Sequence, residues 1–341
     1  MSVQKARALL RRQHYDGNVL YDLPDHRQFL KYLTGKDCFD DMENTVSEAI
    51  RRLDVDMLVV AVPYTPKDKR ALESDSNLFG SDVTHWRNSE TTSPDIAGHD
   101  PLATRQYLSI SETELAKLFI DQDARNRVYA GGTALTHGYY FDTCIHYAAM
   151  DLDYEKFLCF CMEEPEKLGE LLDRYEAASV RALAAWNRCN PEMMFCHDDI
   201  ANAKSMTFSP AFCREHLMPR YKRLFAPLKA SGAPLLFVTD GNFADVARDL
   251  IDAGVDGFFV DRPPVDFARL VRLCGEDKIY FTGPTPEIMT NGTPSDVVDE
   301  MKMLTEISQS VPGYMFHLGS GWTKNMPVEN VKAFYKHLGR L

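Results

Sequence analysis

Short apolar runs alternate with amphipathic segments through the second half of the chain. The runs occupy residues 193–196, 234–238, 257–260, 278–281 and 314–316. Their apolar positions do not alternate with polar ones, as expected of strands buried on both faces of a parallel sheet. The segments between them carry helix signals. Ser209-Pro210 and Thr293-Pro294 each place a capping hydroxyl before a proline at the first helical position, and Asp296 adds a carboxylate to the first turn of the second helix. Val297, Met301 and Leu304 then line one face, and Val328, Val331, Tyr335 and Leu338 form a second stripe after Pro327. Pro219 predicts a kink in the helix that follows Ser209.

The first half reads less regularly. Residues 56–62 (DMLVVAV) predict a strand, 127–130 a second one, and 168–186 a long helix. Residues 65–108 are polar and irregular, with Gly80 and Gly98 among many Ser and Thr. A stretch of that length is commonly a functional loop, so it is a lid candidate, with a peripheral insertion as the alternative. No linker divides the chain. The alternation of strands and helices predicts an α/β fold, a (β/α)8 TIM barrel over residues 51–341, with residues 1–50 as a helical N-terminal extension. The 341 residues, 45% of them apolar, suffice for one such barrel.

Charge and cysteine usage narrow the partners. With 38 basic and 50 acidic residues the net charge is −12, which argues against nucleic acid or an anionic membrane as partner. No run of 18 apolar residues and no apolar h-region near the N-terminus are present, so a soluble cytoplasmic protein is expected. The eight cysteines, Cys38, Cys144, Cys159, Cys161, Cys189, Cys196, Cys213 and Cys274, follow no disulfide framework and are expected to be reduced.

Each late apolar run ends in a polar cluster. These clusters are Cys196-His197-Asp198-Asp199, Thr239-Asp240-Gly241-Asn242, Asp261-Arg262, Thr282-Gly283-Pro284-Thr285 and His317-Leu318-Gly319-Ser320-Gly321-Trp322. In a parallel barrel such ends converge at the C-terminal mouth, where barrel enzymes carry their chemistry. His197, Asp199, Asp240, Asp261 and His317 are therefore the candidate ring, because imidazoles and carboxylates are costly to bury without partners. His317, between an apolar strand and a glycine-rich turn, is the foremost candidate. Asp198 and Asp199 cannot both face the mouth, so one of them is structural. Asp240 could instead cap the next helix, and Asp261-Arg262 could be a local ion pair. The Gly319-Ser320-Gly321 turn can approach a ligand closely, and Trp322 could wall a pocket or fill core. His137 could also reach the mouth, following the strand at 127–130, whereas His216 and His337 fall within helices as surface or core residues.

The same residues carry a family resemblance. HDDIA at His197, Ser209-Pro210, TDGN at Thr239, GVDGFFVD at Gly254, GEDK at Gly275 and GYMFHLGSGW with MPVENVKA from Gly313 occur in an order that resembles the uroporphyrinogen decarboxylase and corrinoid methyltransferase superfamily. Decarboxylases of that superfamily shorten four acetate side chains of a tetrapyrrole without a cofactor. Their N-terminal arginine motif is not found here, the early strand runs into Pro63-Tyr64 rather than a Ser-Asp pair, and Ser320 replaces the histidine of their late turn. The methyltransferase branch holds zinc through a His-x-Cys pair and a later Cys. Val238-Thr239-Asp240 and His317 stand in those places, so both kinds of departure bear on function. The resemblance implies an enzyme that moves a methyl group from a small methylated substrate, of ether or amine type, to a corrinoid carried on a partner protein. His317, His197, Asp199 and Asp240 would form a hard O/N metal site, with His317 and Asp240 as ligands of a zinc ion, or a general acid with its orienting carboxylate. Gly319, Gly321 and Trp322 would contact the cofactor. Tetrapyrrole decarboxylation and a non-catalytic tetrapyrrole- or corrinoid-binding role are the alternatives.

Overall fold

The computed structural model of the chain describes residues 2–58, 96–140, 143–202, 204–260, 266–318 and 323–341. Eight strands occur among the described residues: β1 (Val19–Asp22), β2 (Met57–Leu58), β3 (Gly138–Tyr140), β4 (Met194–His197), β5 (Leu235–Thr239), β6 (Gly257–Val260), β7 (Ile279–Thr282) and β8 (Gly313–Phe316). With helices between parallel strands, the fold is of the (β/α)8 barrel class. The five late strands match the five apolar runs to within a residue at each end. β4, β7 and β8 are buried at every position, as runs without polar alternation require.

The chain forms two compact units. One comprises Met1–Ser81, Gln122–His137 and Phe258–Leu341, and the other Asp82–Asp121 and Gly138–Gly257. In the first unit the strand order is β2-β1-β8-β7-β6. β1 pairs in parallel with both β2 (Tyr21↔Met57) and β8 (Leu20↔Phe316), so the two ends of the sequence meet in one sheet. In the second unit the order is β5-β4-β3, with Phe195 aligned on Tyr139 and on Leu236. There the long helix Pro165–Arg188 lies against the helix Met218–Ser231. Arg220 pairs with Asp173 at 2.6 Å and Arg223 with Glu176 at 2.5 Å across that contact.

Four expectations need correction. Residues 127–130 are not a strand but the end of the helix Glu112–Tyr129. Leu118, Ile120 and Val128 are exposed on that helix, so its apolar residues are scattered rather than striped, and a short apolar run alone does not separate strand from helix. The first 50 residues do hold helices (Ser2–Leu10, Arg27–Thr34, Met42–Arg52), yet they also supply β1 to the sheet. Pro219 produces a π-helical segment, Cys213–Leu217, ahead of the helix Met218–Ser231 rather than a simple bend. A proline cannot donate to the carbonyl four residues back, and the wider turn accommodates that gap. His137 directly precedes β3 instead of following a strand. Of the strand at 56–62 the structure describes β2. Residues 59–62, and 65–95 of the lid candidate, lie outside the described residues. No helix among the described residues is long and apolar enough to cross a membrane.

One buried ion pair ties the closing strands of the first unit to its last residues. The Asp56 side chain is fully buried, accepts the Leu20 N–H at 2.9 Å, and meets the Lys5 ammonium at 3.1 Å and the Arg340 guanidinium. Arg340 also donates to Asn18 O at 2.8 Å and Asp54 O at 2.7 Å. Burial raises the Asp56 carboxyl above the usual carboxylate value, and Arg340 opposes that shift. With its folded pKa raised, its stabilising contribution is complete below the unfolded value and declines as pH rises through the folded one. Removing Arg340 raises the carboxyl further and leaves a buried charge without its main partner. Arg340→Ala is therefore expected to lose about 3–5 kcal/mol at neutral pH and clearly less in mild acid, measured by urea unfolding at both. Adding Asp56→Asn to that variant should restore part of the neutral-pH loss.

Candidate active site

In the second unit, the C-terminal ends of β3, β4 and β5 assemble an imidazole–carboxylate–imidazole group. β4 ends on His197, whose register partner on β5 is Val238. Two residues on, Asp199 places Oδ1 3.0 Å from His197 Nε2 and Oδ2 3.1 Å from His146 Nδ1. The two rings meet edge to face with centroids 4.6 Å apart. All three side chains are partly buried, with exposures of 11%, 10% and 16% for His146, His197 and Asp199, so they are held in place but reachable.

Asp198 explains why His146 is there. Its fully buried carboxylate accepts the N–H groups of Cys144, Ile145 and His146, which open the helix Ile145–Leu152, and also the Tyr221 hydroxyl at 2.7 Å. An anion at a helix N-terminus satisfies donors that have no partner within the helix. Thr143 adds a hydroxyl bond of 2.9 Å to His197 O. The two adjacent aspartates thus divide as expected: Asp198 anchors the helix and Asp199 faces the imidazoles.

Asp240 completes the group from β5. Its N–H donates to Asp199 Oδ1 at 3.2 Å. Surrounding protein raises the Asp240 carboxyl by desolvation and the Asp199 charge raises it further, although the side chain keeps contact with solvent. At Asp199 burial acts in the same upward direction. There His197 and His146 together outweigh it and hold the carboxyl well below its ordinary range. Asp240 does not cap the helical segment that follows, which starts at Ala244 with Phe243 in the N-cap position, and Asn242 Oδ1 accepts the Ala244 N–H at 3.3 Å in the turn before it. Gly241 has φ +75°, and a Cβ there would strike the backbone of Asn202, so this turn requires glycine.

His317 belongs to the first unit, where it follows β8. Its Nδ1 lies 3.0 Å from Tyr21 O, so Nδ1 carries the proton of the neutral ring and the lone pair is on Nε2. Tyr21 and Phe259 pack on the ring at centroid distances of 4.9 and 4.7 Å. The Tyr21 hydroxyl is 3.0 Å from His137 Nε2, and burial raises that phenol well above its ordinary value, so it stays neutral. A Cβ on Gly283 would collide with His317 O, which leaves glycine as the residue that lets β7 end beside this histidine.

Of the other expected site residues, Asp261, Arg262, Gly319, Ser320, Gly321 and Trp322 lie outside the described residues. His317 and Asp240, expected as a metal pair, fall in different units. The one group of three metal-competent donors among the described residues is His146, His197 and Asp199. His146 was missed because it stands in the first turn of a helix nine residues beyond His137, with no pattern of its own. Asp25 was missed as well. It is buried beyond β1, its Oδ1 makes no hydrogen bond among the described residues, and desolvation followed by the Asp22 charge raises its carboxyl well above normal. Five of the eight thiols do not compete for a nucleophilic role: burial raises Cys38 to about 11 and Cys161 and Cys213 to about 12, and raises Cys144 and Cys196 as well.

A family model described as uroporphyrinogen decarboxylase (URO-D) matches residues 144–340. The chain is 27% identical over 175 residues to a uroporphyrinogen decarboxylase of Carboxydothermus hydrogenoformans, which is 50% of this chain and 47% of that relative. It is also 27% identical over 169 residues to a uroporphyrinogen decarboxylase of Thermus thermophilus, covering 45% of that protein. The matches thus span about half the length of these curated relatives. Among solved structures, a methyltransferase from Methanosarcina mazei superposes with a TM-score of 0.68, covering 99% of this chain and 98% of that one at 15% identity. At that identity the likeness bears on the fold.

The division of labour between the paired aspartates is open to direct measurement. Asp198→Ala orphans three backbone donors and a buried phenol, and is expected to lower stability by about 3 kcal/mol or more in chemical denaturation. A loss below about 1 kcal/mol would refute the anchoring role given to Asp198.

Proposed function

The chain belongs to the uroporphyrinogen decarboxylase family, and within it we propose that it is an enzyme moving a methyl group from a small methylated ether or amine to a corrinoid carried on a partner protein. The observation that carries this reading is the His146–Asp199–His197 group with Asp240 beside it, at the C-terminal strand ends where barrel enzymes act. Two further features support it. The N-terminal arginine motif and the late-turn histidine of decarboxylases have no counterpart here, and a methyltransferase from Methanosarcina mazei shares the backbone along nearly the whole chain.

In such a transfer the corrinoid of the partner supplies the nucleophile. The bond from the methyl carbon to oxygen or nitrogen breaks, and its electron pair stays on the leaving atom. This chain must orient that bond and stabilise that pair. An imidazole pair bridged by a carboxylate can do so with a proton or with a bound cation, and the low local polarity of a partly buried group strengthens either effect. Asp240 places a carboxyl, raised by desolvation and the Asp199 charge, beside Asp199. His317, fixed through Nδ1 at the Tyr21 carbonyl oxygen, is a candidate for substrate positioning in the first unit.

The test is methyl transfer in vitro, with methylated phenols and amines as donors and a reduced corrinoid protein as acceptor, followed by the corrinoid absorption spectrum. Wild type is expected to methylate the corrinoid, and Asp199→Ala to lower the rate by about 100- to 10,000-fold. No transfer with any donor, together with loss of carboxyl groups from a tetrapyrrole, would replace this reading by decarboxylation.

A further inference from the structure

We infer that His146, His197 and Asp199 form a binding site for one divalent transition-metal cation, zinc in the first instance. The inference deepens the methyl-transfer reading for the site's role, but the existence of the site does not depend on that reading.

The donor geometry is already that of neighbouring ligands. A zinc ion takes nitrogen and oxygen ligands at about 2.0–2.2 Å, which places adjacent donors on one ion roughly 3–3.5 Å apart. The Asp199 oxygens lie 3.0 Å from His197 Nε2 and 3.1 Å from His146 Nδ1, and one ligand atom from each of the three residues lies within 4.8 Å of the others.

The backbone is held independently of any ion. His146 stands on a helix start fastened by the Asp198 carboxylate, and His197 O takes the Thr143 hydroxyl. Asp199 Oδ1 also accepts the Asp240 N–H, a bond of the kind that orients metal-ligating carboxylates. Such rigid support is what a preformed site requires.

The donor chemistry selects the ion. Two imidazoles and one carboxylate suit zinc or another late first-row cation, whereas magnesium and calcium prefer oxygen alone. No thiol belongs to the group, and nearby Cys144 and Cys196 are buried with raised pKa values. Three protein ligands leave at least one coordination position open, the arrangement of catalytic rather than structural zinc. An ion there would act as a Lewis acid toward the leaving oxygen or nitrogen of the substrate.

The experiment needs no substrate. Metal-stripped full-length protein is titrated with zinc chloride by calorimetry, and its cobalt(II) form is examined by visible absorption. One equivalent of zinc should bind. Changing an outer contact of a metal site already costs about 10–100-fold in affinity, so His146→Gln, His197→Gln and Asp199→Asn should each weaken binding by at least about 100-fold. His337→Ala should bind as wild type does. Cobalt should show ligand-field bands without a thiolate charge-transfer band. Circular dichroism establishes that each variant is folded. Folded wild type that takes up no zinc, unchanged affinity in the three ligand variants, or a thiolate band would each overturn the inference. Because binding is read without turnover, a failed methyl-transfer assay would leave this site standing, and zinc loss would leave methyl transfer to be judged on its own assay.

Discussion

The fully buried Asp198 carboxylate is the interaction on which the site depends. It takes three consecutive backbone N–H groups and a phenol, a set of donors that would be costly to bury without it. By fastening the start of the helix Ile145–Leu152 to the residue after β4, it brings the elements that follow β3 and β4 together in one register. His146 reaches Asp199 because Asp198 has already fixed its backbone nitrogen. The anion beside it is thereby left to the two imidazoles. Two chemically identical side chains, adjacent in sequence, are separated in role by direction alone: one turns toward backbone donors and the other toward side chains.

The strands with long apolar runs were legible because burial on both faces leaves a continuous pattern. β4, β5, β6, β7 and β8 all announce themselves this way, the helix after Thr293 does so by its capping box, and the helix after Pro327 by its apolar stripe. β1 (VLYD) and β3 escape the same reading for a physical reason. A three- or four-residue strand carries too few positions to show a period, and its burial comes from distant partners such as Met315 and Phe195. The Glu112–Tyr129 helix fails in the opposite sense, since its exposed apolar residues blur the face that would identify it.

The site was half legible. His197, Asp199 and Asp240 follow from their places at strand ends, and the prior expectation that only one of Asp198 and Asp199 faces outward agrees with their contacts. His146 was not legible, because its placement arises from hydrogen bonds to Asp198, 52 residues away along the chain. His317 and His137 illustrate a different limit. The sequence points to each, but not to Tyr21, whose carbonyl oxygen lies at one imidazole and whose hydroxyl lies at the other. A residue on an unrecognised strand cannot be recognised as a link between two others.

The replacement of Val238-Thr239-Asp240 for a His-x-Cys pair is coherent with the group assembled nearby. Thr239 is fully buried, and its hydroxyl oxygen accepts the Ile200 N–H at 3.2 Å, so it stabilises the segment that carries Asp199. At Asp240, where the resemblance would place a thiolate, the backbone N–H donates to Asp199 and the side chain offers an oxygen donor whose carboxyl pKa is raised. The residues at and just beyond the end of β5 thus support the His146–Asp199–His197 group one strand away. Nitrogen and oxygen donors in place of sulfur would favour different ions and polarise a leaving atom differently. Specificity within this fold can in that way move between strand ends while the barrel itself stays the same.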